Sequence, residues 1–364
     1  MSIEKKFKNK KIALLGLGAE SLAILEFFVE HKIGAQFTVC DARQNVRKVY
    51  DLSFAGSNVE WLLGKDYDDN LSEFDIIVRA PGYPLFNPNI KKAMAAGVEV
   101  TSATKLFFEL SPTKHIIGVT GTKGKGTVSG LIFEILKVAG KDVYWGGNIG
   151  IPIFSFFDKL NSKSVVVLEM SSFQLEDMEA SPHIAVVTNF TKEHLAPADP
   201  NNPNFHKNMV QYKAIKQNIY KYQTSKDIAV LNFTLDKEEW KVGAGKKIYV
   251  HKSDMASQLV GEHNKENIAL AVEVAKILKI KNKAVRSAVE DFQGLPHRIE
   301  FAGDYKGILF YDDSFATTPE SAMTAMKSFE RPIVLLAGGA DKGSSFNKMA
   351  KLIKKKVKYV ILFA

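Results

Sequence analysis

Residues His115 to Gly140 read HIIGVTGTKGKGTVSGLIFEILKVAG, and this stretch decides the fold. The short apolar run HIIGVT gives way to Gly121-Thr122-Lys123-Gly124-Lys125-Gly126-Thr127, after which apolar residues recur at helical spacing as far as Gly140. An apolar run bounded by glycine reads as a buried strand, and a glycine after a periodic segment reads as a helix stop. Strand, glycine-rich loop and helix in that order aim backbone N–H groups at phosphate oxygens. The helix start adds its dipole, and Lys125 is placed to neutralise the terminal phosphates. The loop departs from the strict nucleotide-loop pattern, with Val119 where the first glycine is expected and Gly126 where Ser or Thr follows the lysine. A glycine turn that only packs a helix on a sheet is the alternative, and the strand–loop–helix context favours phosphate.

Towards the N-terminus, from Lys11 to about Thr101, KIALLGLG, QFTVCDAR and FDIIVRAPG read as strands, and ESLAILEFFVEH and NIKKAMAAG as helices. Such alternation predicts a doubly wound parallel sheet. The turn Gly16-Leu17-Gly18-Ala19-Glu20-Ser21 is close to a dinucleotide fingerprint, with Ser21 in the third glycine position and Asp41 where an acidic ribose contact falls. A tight packing turn explains the same residues.

Towards the C-terminus, SVVVLEM, HIAVVTNF and DIAVLNF read as strands and ENIALAVEVAKILKI as a long helix, reaching about Pro296, with a loop at PADPNNPN (197–204). A last segment holds GILFYDDS, a helix around PESAMTAMKSF, RPIVLLAGG, an amphipathic helix bearing Lys351, Lys354, Lys355, Lys356 and Lys358, and VKYVILFA. Its three strands are read as parallel. That is fewer than the roughly four to six of a packed sheet, so the last domain is expected to be incomplete, and residues 1–364 to bind nucleotide but ligate poorly. The predicted domains are 1–111, 112–297 and 298–364.

A chain of 364 residues predicts two or three domains. Hydrophobic residues at 46% and charged residues at 24% are ordinary for a globular protein and indicate neither disorder nor a membrane class. The apolar run IALLGLG after the basic start is short and glycine-broken, and nothing approaches the roughly 20 apolar residues of a membrane span. One cysteine, Cys40, excludes an internal disulfide and fits a reducing cytosol. The formal charge of +9 comes from scattered lysines, which suits phosphate-rich small substrates and gives no reason to expect nucleic acid. A cytoplasmic monomer without membrane or nucleic-acid partners is expected.

Two further motifs bear on chemistry. In Leu168-Glu169-Met170-Ser171-Ser172-Phe173-Gln174-Leu175-Glu176, Glu169 ends an apolar strand and offers carboxylate oxygen to a hard divalent cation. In Thr188-Asn189-Phe190-Thr191-Lys192-Glu193-His194, His194 follows a strand closely enough to reach the same crevice. Taken singly, a strand-end glutamate is commonly solvated and a lone histidine commonly structural.

In order along the chain, GLG (16–18), TGTKGKGT (120–127), GGNIG (146–150), LEMSSFQLE (168–176), EH (193–194), GEHNKEN (261–267), GLPHRIE (294–300), YDDSFATT (311–318) and GGADKG (338–343) resemble the Mur ligase family over essentially the whole chain. SSFQLE favours the branch that adds D-glutamate to UDP-N-acetylmuramoyl-L-alanine. The resemblance implies three α/β domains: a Rossmann-like UDP-substrate domain, a central P-loop ATPase domain, and a truncated Rossmann-like amino-acid domain. It implies ATP, two Mg2+ ions and an acyl-phosphate intermediate that the glutamate amine attacks. Gly121 to Thr127 would cradle the phosphates, with Lys125 among the catalytic residues. Glu169, His194, Thr127 and a carbamylated Lys216 would hold metal, with His194 and Lys216 also counted as catalytic. Asn264, Asn267, Arg298 and Asp313 would contact the nucleotide. Gly18, Asp41, Arg43, Gly82 and Asn148 would contact the uridine-nucleotide substrate, and Lys342 the amino acid. The family commonly carries a hydroxyl residue at Gly126 and a lysine at Phe315. An acceptor such as L-glutamate and a non-catalytic nucleotide- or UDP-sugar-binding module therefore stay open beside the main reading.

Overall fold

The computed structural model describes residues 3–50, 59–197, 203–339 and 344–363. By internal contacts the chain forms two compact units, one of Met1–Lys125, Asp142–Val230 and Thr234–Ile248, the other of Gly126–Lys141, Leu231–Phe233 and Tyr249–Ala364.

The first sheet has strands β1 (Lys11–Leu15), β2 (Gln36–Asp41), β3 (Val59–Leu63), β4 (Ile76–Arg79) and β5 (Glu99–Thr101), in the order β3-β2-β1-β4-β5. All neighbours are parallel. Ile12, Ala13, Leu14 and Leu15 are wholly buried, as a strand covered on both faces requires. The helix Ala19–Glu30 lays Ile24, Leu25 and Phe28 inward, and Phe28 lies between Phe7 and Phe37 at ring separations of 4.8 and 5.3 Å. The strand order reverses between β1 and β4, so the crevice at their carboxyl ends is where such sheets take ligands.

The second sheet joins β6 (Ile116–Thr120), β7 (Val143–Gly147), β8 (Val165–Glu169), β9 (Ile184–Val187), β10 (Ile228–Asn232) and β11 (Lys246–Val250) in the order β11-β10-β9-β6-β8-β7. Register decides the site. Val119 pairs with Glu169, and Thr120 pairs with Val187. The glycine loop after β6, the carboxylate ending β8 and the chain after β9 therefore leave the sheet at one edge.

In the last segment β12 (Glu300–Tyr305) and β13 (Ile308–Asp312) form an antiparallel pair, while β14 (Ile333–Gly338) and β15 (Val357–Phe363) are parallel. This corrects the expectation of three parallel strands. GILFYDD turns straight back on the preceding strand through Lys306 and Gly307, both at positive φ (53° and 81°), and a two-residue turn makes neighbours antiparallel. Lys358 belongs to β15, whereas the other four clustered lysines lie on the helix Asn347–Lys356. Among the described residues no helix is long and apolar enough to cross a membrane.

Candidate functional site

The glycine loop is held from below by the chain that follows β9. Gly121 has φ 147°, and a Cβ there would collide with Thr188 Oγ1, so no side chain fits without displacing that hydroxyl. Thr188 Oγ1 donates to Lys123 O at 2.6 Å. Asn189 braces the same residue twice, its Oδ1 accepting from Lys123 N at 2.9 Å and its Nδ2 donating to Lys123 O at 2.9 Å. Its own carbonyl accepts from Thr122 N at 3.0 Å. Thr122 Oγ1 accepts from Thr191 N at 3.0 Å and lies 3.3 Å from Tyr212 Oη. Lys125 Nζ donates to Thr122 O at 3.0 Å, and Lys123 Nζ pairs with Glu193 at 2.6 Å. A loop pinned at this many points presents its remaining amides in a fixed array, which is how backbone binds an anion.

Glu169 is 4% exposed. Asn148 Nδ2 donates to its Oε1 at 2.6 Å and Asn148 N to its carbonyl at 2.9 Å. Its Oε2 is buried and has no hydrogen-bond partner among the described residues. An orphaned buried carboxylate oxygen is rare and calls for an explanation.

Lys216 comes from the helix Met209–Lys221, which starts cleanly because Asn208 caps it by accepting from Gln211 N. The residue is 1% exposed, its Nζ donates to Thr120 Oγ1 at a long 3.4 Å, and it sits 5.0 Å above the Tyr212 ring. Burial drives the ammonium well below its ordinary pKa, the nearby Lys125 charge adds to the effect, and Glu193 and Glu169 oppose it. Burial therefore favours the neutral amine over the ammonium here more than at any exposed lysine.

His194 stands at a left-handed φ of 58°. Burial lowers its pKa, against the pull of Glu193 and with the repulsion of Lys216, Lys125 and Lys123. His206 is fully buried between the rings of Phe173 (4.9 Å) and Tyr212 (5.1 Å), with Nε2 2.9 Å from Ser172 Oγ and Nδ1 unpartnered among the described residues. Burial, with His194 and Lys216, pushes His206 down from 6.5 to about 4. Below 6.5 the unfolded chain takes up this proton and the folded chain does not. Stability is complete above that value and is lost as pH falls from 6.5 towards 4. His206→Phe keeps the ring stack and removes the titration, so its melting temperature should fall less than the wild type's between pH 7 and 4.5 in calorimetry.

Lys125, Glu169, His194 and Lys216 are thus brought together. At the first sheet, Gly18 begins the helix Ala19–Glu30, and Gly82 sits in the turn after β4. Asp41 is occupied within the protein. Its oxygens accept from Leu17 N at 2.8 Å and from Arg43 N, Nε and Nη2 at 2.8 to 2.9 Å, and Arg43 Nη2 also donates to Leu17 O. The pair clasps the first glycine turn.

Gly126 and Thr127 lie in the first turn of the helix Lys125–Val138. In the second unit Asn264 and Asn267 are buried and bonded to one another, Nδ2 of Asn267 donating to Oδ1 of Asn264 at 2.8 Å. The Arg298 guanidinium covers the Phe315 ring at 4.3 Å, and Asp313 accepts from Ile299 N. Lys342 lies outside the described residues. Asn189 and His206, which shape the site, carry no role in the sequence expectations. Asn189 sits inside a motif read for its histidine, and His206 is the second residue after the stretch read as loop (197–204).

Comparison with known proteins follows this layout. The Mur ligase middle domain matches residues 119–253, the Mur ligase MurD-like N-terminal domain residues 10–102, and the Mur ligase glutamate ligase domain residues 297–364. The UDP-N-acetylmuramoylalanine–D-glutamate ligase of Acetivibrio thermocellus is 36% identical, over 99% of this chain and 81% of its own length. That of Clostridium tetani is 33% identical, over 98% and 81%. In fold the chain is similar to the UDP-N-acetylmuramate-alanine ligase MurC of Thermotoga maritima (TM-score 0.58, 19% identity, 97% of this chain and 85% of that one). It is also similar to a murein peptide ligase of Psychrobacter arcticus (TM-score 0.56, 16% identity, 97% and 84%).

Proposed function

The chain belongs to the Mur ligase family, and we propose that it joins D-glutamate to UDP-N-acetylmuramoyl-L-alanine in an ATP-dependent amide-forming ligation. The observation that carries the reading is the gathering of Lys125, Glu169, His194 and Lys216 beside one pinned glycine loop. In this reading the substrate carboxylate attacks the γ-phosphate of ATP, ADP leaves, and an acyl phosphate results. The amine of glutamate attacks its carbonyl, and the tetrahedral adduct collapses to amide and phosphate. Little covalent help is needed from the protein, so positioning and charge do most of the catalysis. The amides of residues 121–127 hold phosphate oxygens, and Lys125 neutralises their charge. Gly18, Asp41, Arg43, Gly82 and Asn148 would line the uridine-nucleotide side, Lys342 the amino-acid side, and Asn264, Asn267, Arg298 and Asp313 the nucleotide.

The donor set fits magnesium. Glu169 brings a buried oxygen with no hydrogen-bond partner among the described residues, and burial lowers the pKa of His194 to about 4, which favours its neutral ring. Thr127 would add a hydroxyl. Lys216 as an amine is a poor ligand for a hard cation, but as a carbamate it offers anionic oxygen. Its nitrogen, in the neutral form that burial favours, can attack CO2: a C–N bond forms as one C=O π bond of CO2 gives its electrons to oxygen, and one proton passes from the nitrogen to solvent. Bound Mg2+ supplies charge neutralisation and alignment of the transferring phosphoryl group. In the domain scheme this reading uses, 1–111 carries the uridine nucleotide, 112–297 the ATP chemistry and 298–364 the amino acid.

Asn189→Ala removes both bonds to Lys123. Losing paired backbone groups of this kind is worth on the order of 1–3 kcal/mol. The KM for ATP is therefore expected to rise roughly tenfold, with the KM for the uridine nucleotide unchanged in steady-state assays. Function itself is tested by phosphate release with UDP-N-acetylmuramoyl-L-alanine and single amino acids, with mass spectrometry of the amide. D-glutamate should give product. Turnover only with L-glutamate or another acceptor would overturn the acceptor assignment, and silence with every amino acid beside intact nucleotide binding would favour a binding module.

A further inference from the structure

Arg79 closes β4, and its side chain is 0% exposed. A guanidinium carries five N–H donors and cannot give up its proton, so complete burial is costly unless partners surround it. Here the partners come from two distant parts of the chain. On one side Nη1 donates to Tyr83 O at 2.8 Å and, at 3.5 Å, to Pro81 O. On the other, Nη2 donates to Asp177 Oδ1 at 3.2 Å and Phe173 O at 3.3 Å, and Glu176 Oε2 lies 3.7 Å from Nη1. Asn204 repeats the link, its Nδ2 donating to Pro81 O at 2.9 Å and to Glu176 Oε2 at 3.3 Å. Gly82 lies between the two carbonyls that Arg79 holds. Phe173, whose carbonyl Arg79 grips, places its ring 4.9 Å from His206 and 5.1 Å from His194.

We infer that Arg79 is a positioning residue that fixes the turn Ala80–Tyr83, the proposed uridine-nucleotide contact, at a set distance from the short helix Ser172–Leu175 and the Glu176–Asp177 turn that ends it, the segment whose Phe173 ring packs on the histidines of the phosphate site. This rests on the proposed ligase reading, in which the carboxylate of the uridine-nucleotide substrate must meet the γ-phosphate of ATP. An apolar side chain would fill the same space without desolvating a charge. What it would not supply is the directional fork that joins two carbonyls of one turn to a carbonyl of a short helix and the carboxylate just beyond it.

The test compares wild type, Arg79→Lys and Asn204→Ala. Calorimetric titrations with UDP-N-acetylmuramoyl-L-alanine and with a non-hydrolysable ATP analogue are run beside steady-state kinetics and thermal melts. Arg79→Lys keeps the charge and loses the fork. The KM for the uridine nucleotide should rise up to roughly 100-fold, while affinity for the ATP analogue stays within about threefold, a split that general loosening of the fold does not produce. Asn204→Ala should shift the same KM in the same direction, less strongly, and it decides the matter if Arg79→Lys fails to fold. Wild type that binds no uridine nucleotide would defeat the ligase reading itself. Wild type that binds it, with both variants binding equally well or losing both ligands in parallel with melting temperature, would overturn the positioning role alone.

Discussion

Lys125→Ala is expected to lower ATP-dependent ligation by on the order of 10²–10³-fold, the range seen when one preorganised electrostatic contact to a transition state is removed. The side chain is only half-buried, at the start of the helix Lys125–Val138, with its ammonium on Thr122 O. Its removal opens no cavity in the core, so melting should change little. What is lost is a positive charge at the loop. A second consequence separates this residue from a mere surface lysine. Its charge is among the causes that depress Lys216 and His194. Without it both groups hold their protons to higher pH, and the acidic limb of the rate profile should move upward. Steady-state kinetics across pH measures both effects.

Lys216→Ala is expected to reduce turnover by more than about 100-fold, since even outer partners of a metal ligand are commonly worth 10–100-fold. The variant removes a buried side chain, so some loss of stability accompanies it. The discriminating measurement is spectroscopic. Wild type equilibrated with ¹³C-bicarbonate should show a carbamate resonance that Lys216→Arg and Lys216→Ala both lack. Burial, which drives the ammonium pKa of Lys216 down, is the reason to expect addition at this lysine and not at the more exposed Lys125 or Lys123.

The central strands announce themselves in the sequence because they are buried on both faces. IALL, VVVL, IAVV and IAVL are unbroken apolar runs, and each proves to be an inner strand. The strands that went unread in the two large sheets, β3, β5, β7 and β11, are the edge strands. VEWLL and KKIYV carry charges where one side meets solvent, EVT is three residues long, and VYWGG ends in glycines, so none holds a period long enough to separate strand from loop. The β12–β13 hairpin was hidden because Lys306-Gly307 is not the Asn-Gly or Asp-Gly turn that marks such a connection. Single motifs were enough to set the positions of Lys125 and Glu169, one at the end of a glycine loop and the other at a strand end. Arg79 and His206 both take partners from the segment Ser172–Asp177, tens of residues away in sequence, information no local pattern holds.

The central claim is that a triphosphate and its metal are held by the loop at 121–127 together with Glu169, and the direct measurement is calorimetric titration of a non-hydrolysable ATP analogue with and without Mg2+. Wild type should bind at least about tenfold more tightly with Mg2+, a difference of roughly 1.4 kcal/mol, and Glu169→Gln should lose that gain while keeping its metal-free affinity. Binding that ignores Mg2+ in wild type, or a metal effect left intact in Glu169→Gln, would contradict the account.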